Sequence, residues 1–315
     1  MSSAFARLIL IPLLFLAFPV TLVDGQLQSE QSDGQMADPA FDARVAQPAY
    51  TKKRPRVLFD EAHNNFHTAA GRYKPFADLI ANDGYLLKTN RKQFTKEALD
   101  GYDILVIANA QGDDDMDDEK AFEPAFTEAE CDAVRDWVRG GGSLLLIADH
   151  APFGVAAEIL AKRFEVEMSK GYTVDSSNYD QESGNKGFIL YTRDNQLLAD
   201  HHITQGRDAT ERVNRVMSFT GQSLKGPDGS VAFLKLADTA QDISPAAQQT
   251  ASAAGRAQAI AMKFGKGRVV VLGEAGMLSA QVVGPERRPF GMNHPGIDNR
   301  QLALNIMHWL SGLLK

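Results

Sequence analysis

Three observations predict an α/β fold built on a doubly wound, mostly parallel sheet. Short apolar runs alternate with helical segments from about residue 53 onward, which is the order of elements in a parallel-sheet domain. The runs are continuous, as in "LLLIADH" at residues 144–150, and continuous runs are typical of strands covered on both faces. The alternation stops at about residues 171–256, which indicates an insertion. The composition, 44% hydrophobic and 23% charged over 315 residues, is that of a globular chain.

The first 25 residues are predicted to be a signal peptide and not part of the fold. Arg7 precedes an apolar stretch at residues 8–22, and residues suited to cleavage follow as far as Gly25. An uncleaved anchor is the alternative, but Pro12 and Pro19 interrupt the ~20 apolar residues that a membrane span needs. We therefore expect an exported protein, periplasmic or extracellular, that contacts a membrane only through this segment and only if it stays uncleaved.

Residues 26–52 are predicted to be a flexible tether, because they carry little periodic apolar content. The folded domain is expected at residues 53–315, which is enough chain for one domain with a sizeable insertion. The formal net charge of the chain is −7, so it offers no basic surface with which to hold nucleic acid. We expect a small-molecule or carbohydrate ligand instead.

Strands and helices alternate in order from the start of the domain to the insertion. Apolar runs predict strands within residues 56–63, 85–90, 103–112 and 143–150, and helical spacing predicts helices at residues 73–84, 127–137 and 154–164. Gly84 is expected to end the first helix. After the insertion, residues 257–277 predict a hairpin that turns at residues 265–267, and residues 299–314 predict the closing helix.

The predicted helix at residues 127–137 has clear signals at both ends. Thr127 and Glu130 have the spacing of a capping box, and the glycines at 140–142 are expected to end the helix. The helix carries Cys131, the single cysteine of the chain, which therefore cannot form an internal disulfide. Because Cys131 is predicted in the first turns of a surface helix, far from any strand end, we do not expect it to be a nucleophile.

The insertion at about residues 171–256 is predicted to be partly β and to cap or widen a crevice at the sheet edge. Its apolar runs near residues 188–194, 215–224 and 231–240 are typical of antiparallel strands. His201 and His202 lie within it, and adjacent residues point in different directions on a regular element. At most one of the two is therefore expected to serve a site, and a surface or loop position is the interpretation we favour.

Polar side chains end four of the predicted strands. They are Asp60, Glu61 and His63 after the first strand, Asn109 after the third, Asp149 and His150 after the fourth, and Glu274 after the last. Parallel strands bring their carboxyl ends to a common edge, where α/β proteins bind ligands, so these residues predict a shared functional site. The alternative is that these polar residues have no shared role and occur there only because strand ends are exposed to water. For Asp149 a third interpretation is open, in which it only caps the following helix.

Four segments resemble an uncharacterised bacterial branch of the class I glutamine amidotransferase-like superfamily. They are "VLFDEAHNN" at 57–65, "GGSLLLIADHAPFG" at 141–154, "GRVVVLGEAGMLSAQ" at 267–281 and "DNRQLALNIMHWLSG" at 298–312. The likeness extends over about residues 55–170 and 255–315, and it implies a flavodoxin-like doubly wound sheet. In true amidotransferases the strand equivalent to the one before Asp149 ends in a nucleophile elbow that bears cysteine. Because Asp149 and His150 stand there in this chain, the resemblance implies the fold without amidotransferase activity.

The first functional hypothesis is a hydrolase, either metal-free or assisted by a divalent transition metal. In the metal-free form the catalytic acids and bases are Asp149, His150, Glu274 and His63. Substrate contacts are expected from a further set of polar residues: Asp60, Glu61, Asn64, Asn109, Asn293, His294 and Asn299. In the metal-assisted form zinc, manganese or iron is held by members of a third set: His63, His67, Asp149, His150 and His294. His63 and His67 are four residues apart, and on a helix this spacing would place both on one face.

The second hypothesis is a non-catalytic domain that binds a sugar or another metabolite, or that serves in assembly of the cell envelope. Side-chain amides and hydroxyls such as those of Asn109, Gln222 and Ser223 can hydrogen-bond a polyol without breaking a bond. A purely structural partner of a membrane complex is a third hypothesis, supported only by the predicted tether and signal peptide. Bound metal, ligand binding without turnover, and an obligate protein partner would distinguish the three.

Overall fold

The structure, a computed structural model, describes residues 34–244 and 248–315. The predicted signal peptide, residues 1–25, lies outside the described residues, as does the first part of the predicted tether. Within the described ranges we find no helix with both the length and the apolar character that crossing a membrane requires.

The structure has strands or helices at each predicted place, and it adds short elements that were not predicted. The strands are β1 Met36–Ala37, β2 Arg56–Asp60, β3 Leu86–Asn90, β4 Ile104–Ala108, β5 Ser143–Ile147, β6 Glu167–Met168, β7 Tyr172–Asp175, β8 Leu190–Thr192, β9 Arg215–Met217, β10 Leu224–Lys225, β11 Val231–Lys235, β12 Ala240–Ser244, β13 Gln249–Ser252, β14 Ala257–Phe264, β15 Gly267–Leu272, β16 Ala280–Val283 and β17 Arg288–Gly291. The α-helices are α1 Lys74–Asn82, α2 Lys96–Leu99, α3 Glu128–Gly140, α4 Phe153–Ala156, α5 Glu158–Ala161, α6 His202–Gln205 and α7 Asn299–Leu310. Short 3-10 helices lie at Glu119–Phe122, Lys162–Phe164, Ala209–Glu211 and Gly276–Leu278.

The main sheet contains nine of the described strands and is parallel over five of them. Its order is β3-β2-β4-β5-β15-β14-β10-β6, with β11 also paired to β14. Strands β3, β2, β4, β5 and β15 are mutually parallel, which is the 2-1-3-4-5 order of a flavodoxin-like doubly wound sheet. The predicted fold class is therefore confirmed. The predicted hairpin is confirmed as well, because β14 runs antiparallel to β15 and places an antiparallel extension on the parallel sheet.

Burial on both faces explains why the strands read as continuous apolar runs. Successive side chains of a strand point to opposite faces, so Leu144 and Leu145 of β5 enter two different cores. The core on one face packs the sheet against α1 and α7, and the core on the other face packs it against α3. Helix α3 begins with the predicted capping box of Thr127 and Glu130, which is confirmed. Cys131 of this helix is fully buried, not at the surface as predicted.

The described part of the predicted tether, residues 34–52, packs against the domain and differs from the expectation. Strand β1 pairs with β16, the backbone N–H of Ala49 donates to the carboxylate of Asp83 at 2.8 Å, and the ring of Tyr50 packs edge-on against Tyr85 at 5.2 Å. Each of these partners lies far away along the chain, so the segment is held by long-range contacts. Local periodicity carries no sign of such contacts.

The insertion forms antiparallel strands, as predicted, but part of it extends the main sheet instead of covering it. Strands β10 and β11 of the insertion pair with β14, and β6, which lies just before the insertion, pairs with β10. Strands β7, β12 and β13 form a separate three-stranded sheet. The predicted single helix at residues 154–164 is broken into α4, α5 and a 3-10 turn. His201 caps α6 by accepting the N–H of Ile203.

Candidate functional site

Two carboxylates stand side by side where the parallel strands β5 and β15 end. Ile147 lies opposite Leu272 in the register of these strands, so Asp149 and Glu274 each follow two residues beyond the same level of the sheet. Both are buried, with Asp149 9% and Glu274 1% exposed. The predicted convergence of strand ends therefore holds for this pair.

The backbone around Asp149 is tied to two neighbouring strand ends. One carboxylate oxygen of Asp149 accepts the N–H of His150 at 2.8 Å, and the other accepts the N–H of Ala275 at 3.3 Å. Its own N–H donates to the side-chain oxygen of Asn109 at 3.0 Å. Asn109 has a left-handed backbone conformation with φ of 48°, which asparagine tolerates better than most residues. Asp149 does not cap α4, because Pro152 is the N-cap and makes no side-chain capping bond. The capping interpretation is therefore wrong.

Glu274 is enclosed by backbone and does not face solvent. Its carboxylate accepts the N–H groups of Gly276, Met277 and Phe219, the second of these at 2.7 Å. Glycine is required beside it, because a Cβ at Gly221 would lie 2.6 Å from the Cβ of Glu274. Glu274 was predicted to be catalytic, and the structure shows its carboxylate bonded to three backbone N–H groups, through which it holds the surrounding loops in place.

Burial and mutual repulsion set the proton affinity of this pair. Burial, followed by the negative charge of Asp149, raises the pKa of Glu274 well above its ordinary value of 4.5. Burial also raises the pKa of Asp149 above 3.8, and the neighbouring His150 and the backbone N–H groups oppose this only in part. Two buried carboxyls beside each other retain a proton more tightly than either would alone.

We expect this retained proton to appear in the stability of the protein. A carboxyl whose pKa is raised by folding stabilises the fold fully below its unfolded pKa, and this contribution is lost as the pH rises through the folded-state value. The free energy of unfolding should therefore fall as the pH rises above about 4.5, by up to about 1.4 kcal/mol per pH unit for one proton. Urea titrations of Glu274→Gln over the same pH range should show a free energy of unfolding that depends less on pH. Glu182→Gln is the control, because Glu182 is exposed, and its free energy of unfolding should depend on pH as that of wild type does.

His150 presents one ring nitrogen to the site. Its Nδ1 lies 2.8 Å from the carbonyl oxygen of Ala151, and because a carbonyl can only accept, Nδ1 carries the proton in the neutral ring. The lone pair is then on Nε2, which lies 3.8 Å from a carboxylate oxygen of Asp149. The ring packs against Tyr172 at 4.2 Å and Phe153 at 6.5 Å, and its side chain is 12% exposed. Nε2 is thus a base that is held in place beside a carboxylate.

Gln222 and Tyr73 support the site, and the sequence does not indicate either role. The amide nitrogen of Gln222 donates to the carbonyl oxygens of Ala148 at 2.8 Å and Asp149 at 2.9 Å, and its amide oxygen accepts the N–H of Lys170. Gln222 was predicted as a sugar contact, but it is fully buried and its amide is occupied. The hydroxyl of Tyr73 donates to the carbonyl oxygen of Ala275 at 2.6 Å. Both residues are distant in sequence from what they hold.

His63, predicted to be catalytic, lies in a buried ion cluster at the carboxyl end of β2. Its Nδ1 lies 2.8 Å from Asp60 and its Nε2 lies 2.9 Å from Glu130, the capping-box glutamate of α3. The ring lies between Phe94 and Phe126, each with its centroid 4.7 Å away. Burial alone would lower the pKa of His63, but hydrogen bonds and charges from the two carboxylates outweigh it and raise the pKa. With both ring nitrogens occupied, neither His63 nor Asp60 is available to a ligand.

His63 and His67, candidate metal ligands, do not share a helix face. The segment between them is not helical, and the ring of His67 stacks on Tyr73 at 4.8 Å. Burial lowers the pKa of His67 to about 3. Within the two described ranges, we find no grouping of three or more His, Cys, Asp or Glu side chains that could hold a metal ion.

The other polar residues predicted to bind substrate hold loops of the protein. Glu61 accepts the N–H of Ala69 and lies near Arg91, Asn64 donates to the carbonyl of Gly112, Asn293 donates to Asp38 and to the carbonyl of Gln281, and Asn299 bonds the backbone of Met217 and Met277. His294 differs, because its ring stands 6.0 Å from Phe219 at the wall of a cavity. Glu61 was predicted from its place after a strand, but a strand end needs such a group to fix its loop.

The cavity beside His294 is the aromatic pocket, which is named for Phe188, Phe219 and Phe290 in its wall. It has a volume of about 370 Å³ and also contacts Asp180 and Arg288. The Phe219 and Phe290 rings lie 4.3 Å apart. Because the N–H of Phe219 donates to Glu274, the pocket shares its wall with the loop that holds the carboxylate pair.

Comparisons with known proteins give a fold and no family. No protein-family model and no curated protein matches the chain. Similar solved structures include the N-terminal domain of mmIFT52, at 15% identity over 81% of this chain and 97% of that one, with a TM-score of 0.59. They also include a GMP synthase-like protein from Thermoplasma acidophilum (12% identity, 84% and 97% coverage, TM-score 0.42) and a ThuA-like protein from Bacteroides uniformis (13%, 87% and 95%, 0.39). At these identities, the likeness to the first of them shows a shared fold, in agreement with the flavodoxin-like strand order.

Proposed function

We propose that this protein is an exported, glutamine amidotransferase-like domain protein that lacks amidotransferase activity and hydrolyses a small substrate at His150. The observation that carries the proposal is the arrangement at the ends of β5 and β15. There a buried carboxylate pair with raised pKa values stands beside a histidine whose Nε2 is free to take a proton. Paired titratable groups with shifted pKa values in one site are a mark of acid–base function.

The proposed chemistry uses water as the nucleophile. Nε2 of His150 takes a proton from the water as its oxygen attacks the substrate, and the same nitrogen returns the proton to the leaving group as the bond breaks. The carbonyl of Ala151 keeps the ring in the required orientation. Asp149, 3.8 Å away, stabilises the imidazolium that forms between the two steps. Glu274 acts through Asp149 as a positioning residue.

Amidotransferase chemistry is unsupported because the chain has no suitable nucleophile. Cys131 is the only cysteine in the sequence, and it lies in α3, buried among apolar side chains. Burial raises the pKa of its thiol to about 12, so the reactive thiolate is not formed near neutral pH. The position after β5 that bears cysteine in amidotransferases is occupied by Asp149 and His150.

Cys131→Ala is therefore expected to keep full activity. The smaller side chain leaves a small void in the core, and we expect a loss of about 1–2 kcal/mol in the free energy of unfolding. Activity per folded molecule and a denaturant titration measure the two effects separately. Loss of turnover in a variant that still folds would place the site at α3 and contradict the proposal.

The proposal of export rests on the sequence of residues 1–25. We expect the full-length protein, expressed in a bacterium, to be recovered from the periplasm or the medium with a new N-terminus near Gly25. N-terminal sequencing of the recovered protein tests this. An intact N-terminus in the membrane fraction would support the uncleaved anchor instead.

A substrate panel tests the hydrolase. The mature protein is assayed on model esters, amides, phosphate esters and glycosides, with and without chelator, against the double variant Asp149→Asn with His150→Gln. We expect at least one class to be hydrolysed by the wild type and not by the double variant. Activity that survives the chelator supports the metal-free form, and activity that needs added metal supports the metal-assisted form. Equal rates for wild type and double variant on every class would contradict the site.

A non-catalytic carbohydrate-binding domain is the second candidate, and the aromatic pocket is the observation that favours it. Phenyl faces with carboxylate and guanidinium groups nearby suit the apolar faces and hydroxyls of a sugar ring. Calorimetric titration with mono- and disaccharides measures this, with Phe290→Ala as the test variant. Binding that depends on Phe290, without turnover of any substrate, would favour this candidate over the hydrolase.

A further inference from the structure

Arg72 lies just before α1, and it is an arginine without a carboxylate partner. Within residues 34–244 and 248–315, no aspartate or glutamate lies within 4.0 Å of its guanidinium. Its Nε donates to the carbonyl oxygen of Gln35 at 3.3 Å, and its Nη1 is buried and makes no hydrogen bond. Arg193 is the other arginine with an unpartnered buried nitrogen, but it forms an ion pair with Asp200. Arg72 is therefore a partly buried cation with an N–H donor that has no acceptor among the described residues.

Two more polar groups of the same segment lack partners. His67 is 4% exposed, and its Nδ1 makes no hydrogen bond within the described residues. The amide nitrogen of Asn65 is likewise buried and without an acceptor. The charge of Arg72 contributes to the lowered pKa of His67, which indicates that the two are near each other. A buried donor without a partner is costly, so several of them in one segment call for an acceptor.

This segment borders the proposed site. The guanidinium carbon of Arg72 lies 4.1 Å over the ring of Phe66. Phe66 packs on Phe153 at 5.4 Å, and Phe153 packs on His150 at 6.5 Å. Helix α1 begins two residues after Arg72 and has no acidic residue in its first turn, so the positive end of the helix adds to the field of the guanidinium.

We infer that Arg72, with His67 and Asn65 of the same segment, binds an oxyanion group, a phosphate or a carboxylate, on the molecule that reaches His150. A guanidinium pairs with either group through two parallel hydrogen bonds and with charge. Within the described residues no carboxylate compensates this partly buried cation, so an anionic ligand would be its counter-ion there. The anion site names the substrate class of the proposed hydrolase. That such a substrate is hydrolysed rests on the proposed function of His150.

Binding of simple anions tests the inference directly on the mature protein. Inorganic phosphate and acetate are titrated calorimetrically at constant ionic strength against chloride, into wild type, Arg72→Gln, Arg72→Lys and the control Arg91→Gln. Arg91 is exposed and lies 3.4 Å from Glu61, so its loss removes a surface cation while the other oxygen of Glu61 still accepts the N–H of Ala69. We expect saturable binding by wild type and Arg91→Gln, and an affinity about 10- to 100-fold lower in Arg72→Gln. Arg72→Lys should bind between the two, because it keeps the charge but not the paired hydrogen bonds.

The comparison of phosphate with acetate distinguishes the two kinds of anion. The His150→Gln variant distinguishes failure of the anion site from failure of the proposed hydrolase. Preference for phosphate assigns a phosphate-bearing substrate, and preference for acetate assigns a carboxylate. Arg72→Gln removes an uncompensated cation, so its melting temperature without ligand should equal or exceed that of wild type, and circular dichroism verifies its fold. His150→Gln should bind the anion as wild type does, even if the hydrolase proposal fails. Equal affinity of wild type and Arg72→Gln for both anions, or binding of neither by wild type, would overturn the anion site.

Discussion

Replacing His150 with glutamine is expected to lower kcat/KM by about 10²- to 10⁴-fold, which is the usual contribution of a positioned general base. Glutamine keeps an N–H that can donate to the carbonyl of Ala151, but its amide cannot take a proton from water. The side chain of His150 makes no other hydrogen bond in the described residues, so the melting temperature should move little. Steady-state kinetics on the substrate class found in the panel, with thermal melts alongside, measures both.

The separate effects on kcat and KM distinguish a base from a side chain that only shapes the site. Loss of a base should lower kcat and leave KM nearly unchanged, because glutamine fills the place of the ring without taking a proton. His202→Gln is the matched control, since His202 is an exposed histidine on α6. A variant at His150 that keeps the kcat of wild type would show that this ring is not the base.

The sequence was sufficient to predict the strands and which of them end in polar residues. Continuous apolar runs mark β2, β4, β5 and β15, because each buries both faces, and parallel strands must end at one edge. That reasoning brought Asp149 and Glu274 together correctly. The same reasoning placed Asp60 and His63 in that site as well, because a polar residue after a strand looks the same whichever contacts it makes in the fold.

What distinguishes the two strand ends comes from residues far along the chain. Glu130 is 67 residues from His63, and it reaches the ring from the first turn of α3. Gln222 is 73 residues from Asp149 and holds the turn from inside the insertion. The capping box explained Glu130 completely at the level of sequence, so no local signal remained to indicate its second partner. Contacts of this kind require the tertiary fold before they can be assigned.

The ion cluster of Asp60, His63 and Glu130 gives the largest expected effect on stability. His63→Ala leaves two buried carboxylates facing each other without a cation, and removal of one partner from a buried ion pair costs about 3–5 kcal/mol. His63 is 7% exposed, so water cannot readily replace the ring. We expect the free energy of unfolding at a pH below 6.5, measured by denaturant titration, to fall by this amount.

A matched variant and the pH dependence distinguish charge loss from a simple void. His67→Ala removes the same ring from another buried position, where no carboxylate is its partner, so it reports the void alone. Because folding raises the pKa of His63, its contribution should be full below the ordinary value of 6.5 and should be lost as the pH rises through the folded-state value. The stability difference between wild type and His63→Ala should therefore shrink at alkaline pH, while that for His67→Ala should not.

The same variant decides the role of His63 in function. Both of its ring nitrogens are bonded to carboxylates, so folded His63→Ala should keep its activity per molecule while it loses stability. His150→Gln should show the reverse, with stability kept and activity lost. If His63→Ala instead unfolds like wild type but is inactive, the catalytic base stands at the end of β2, and the carboxylate pair of Asp149 and Glu274 is a structural element.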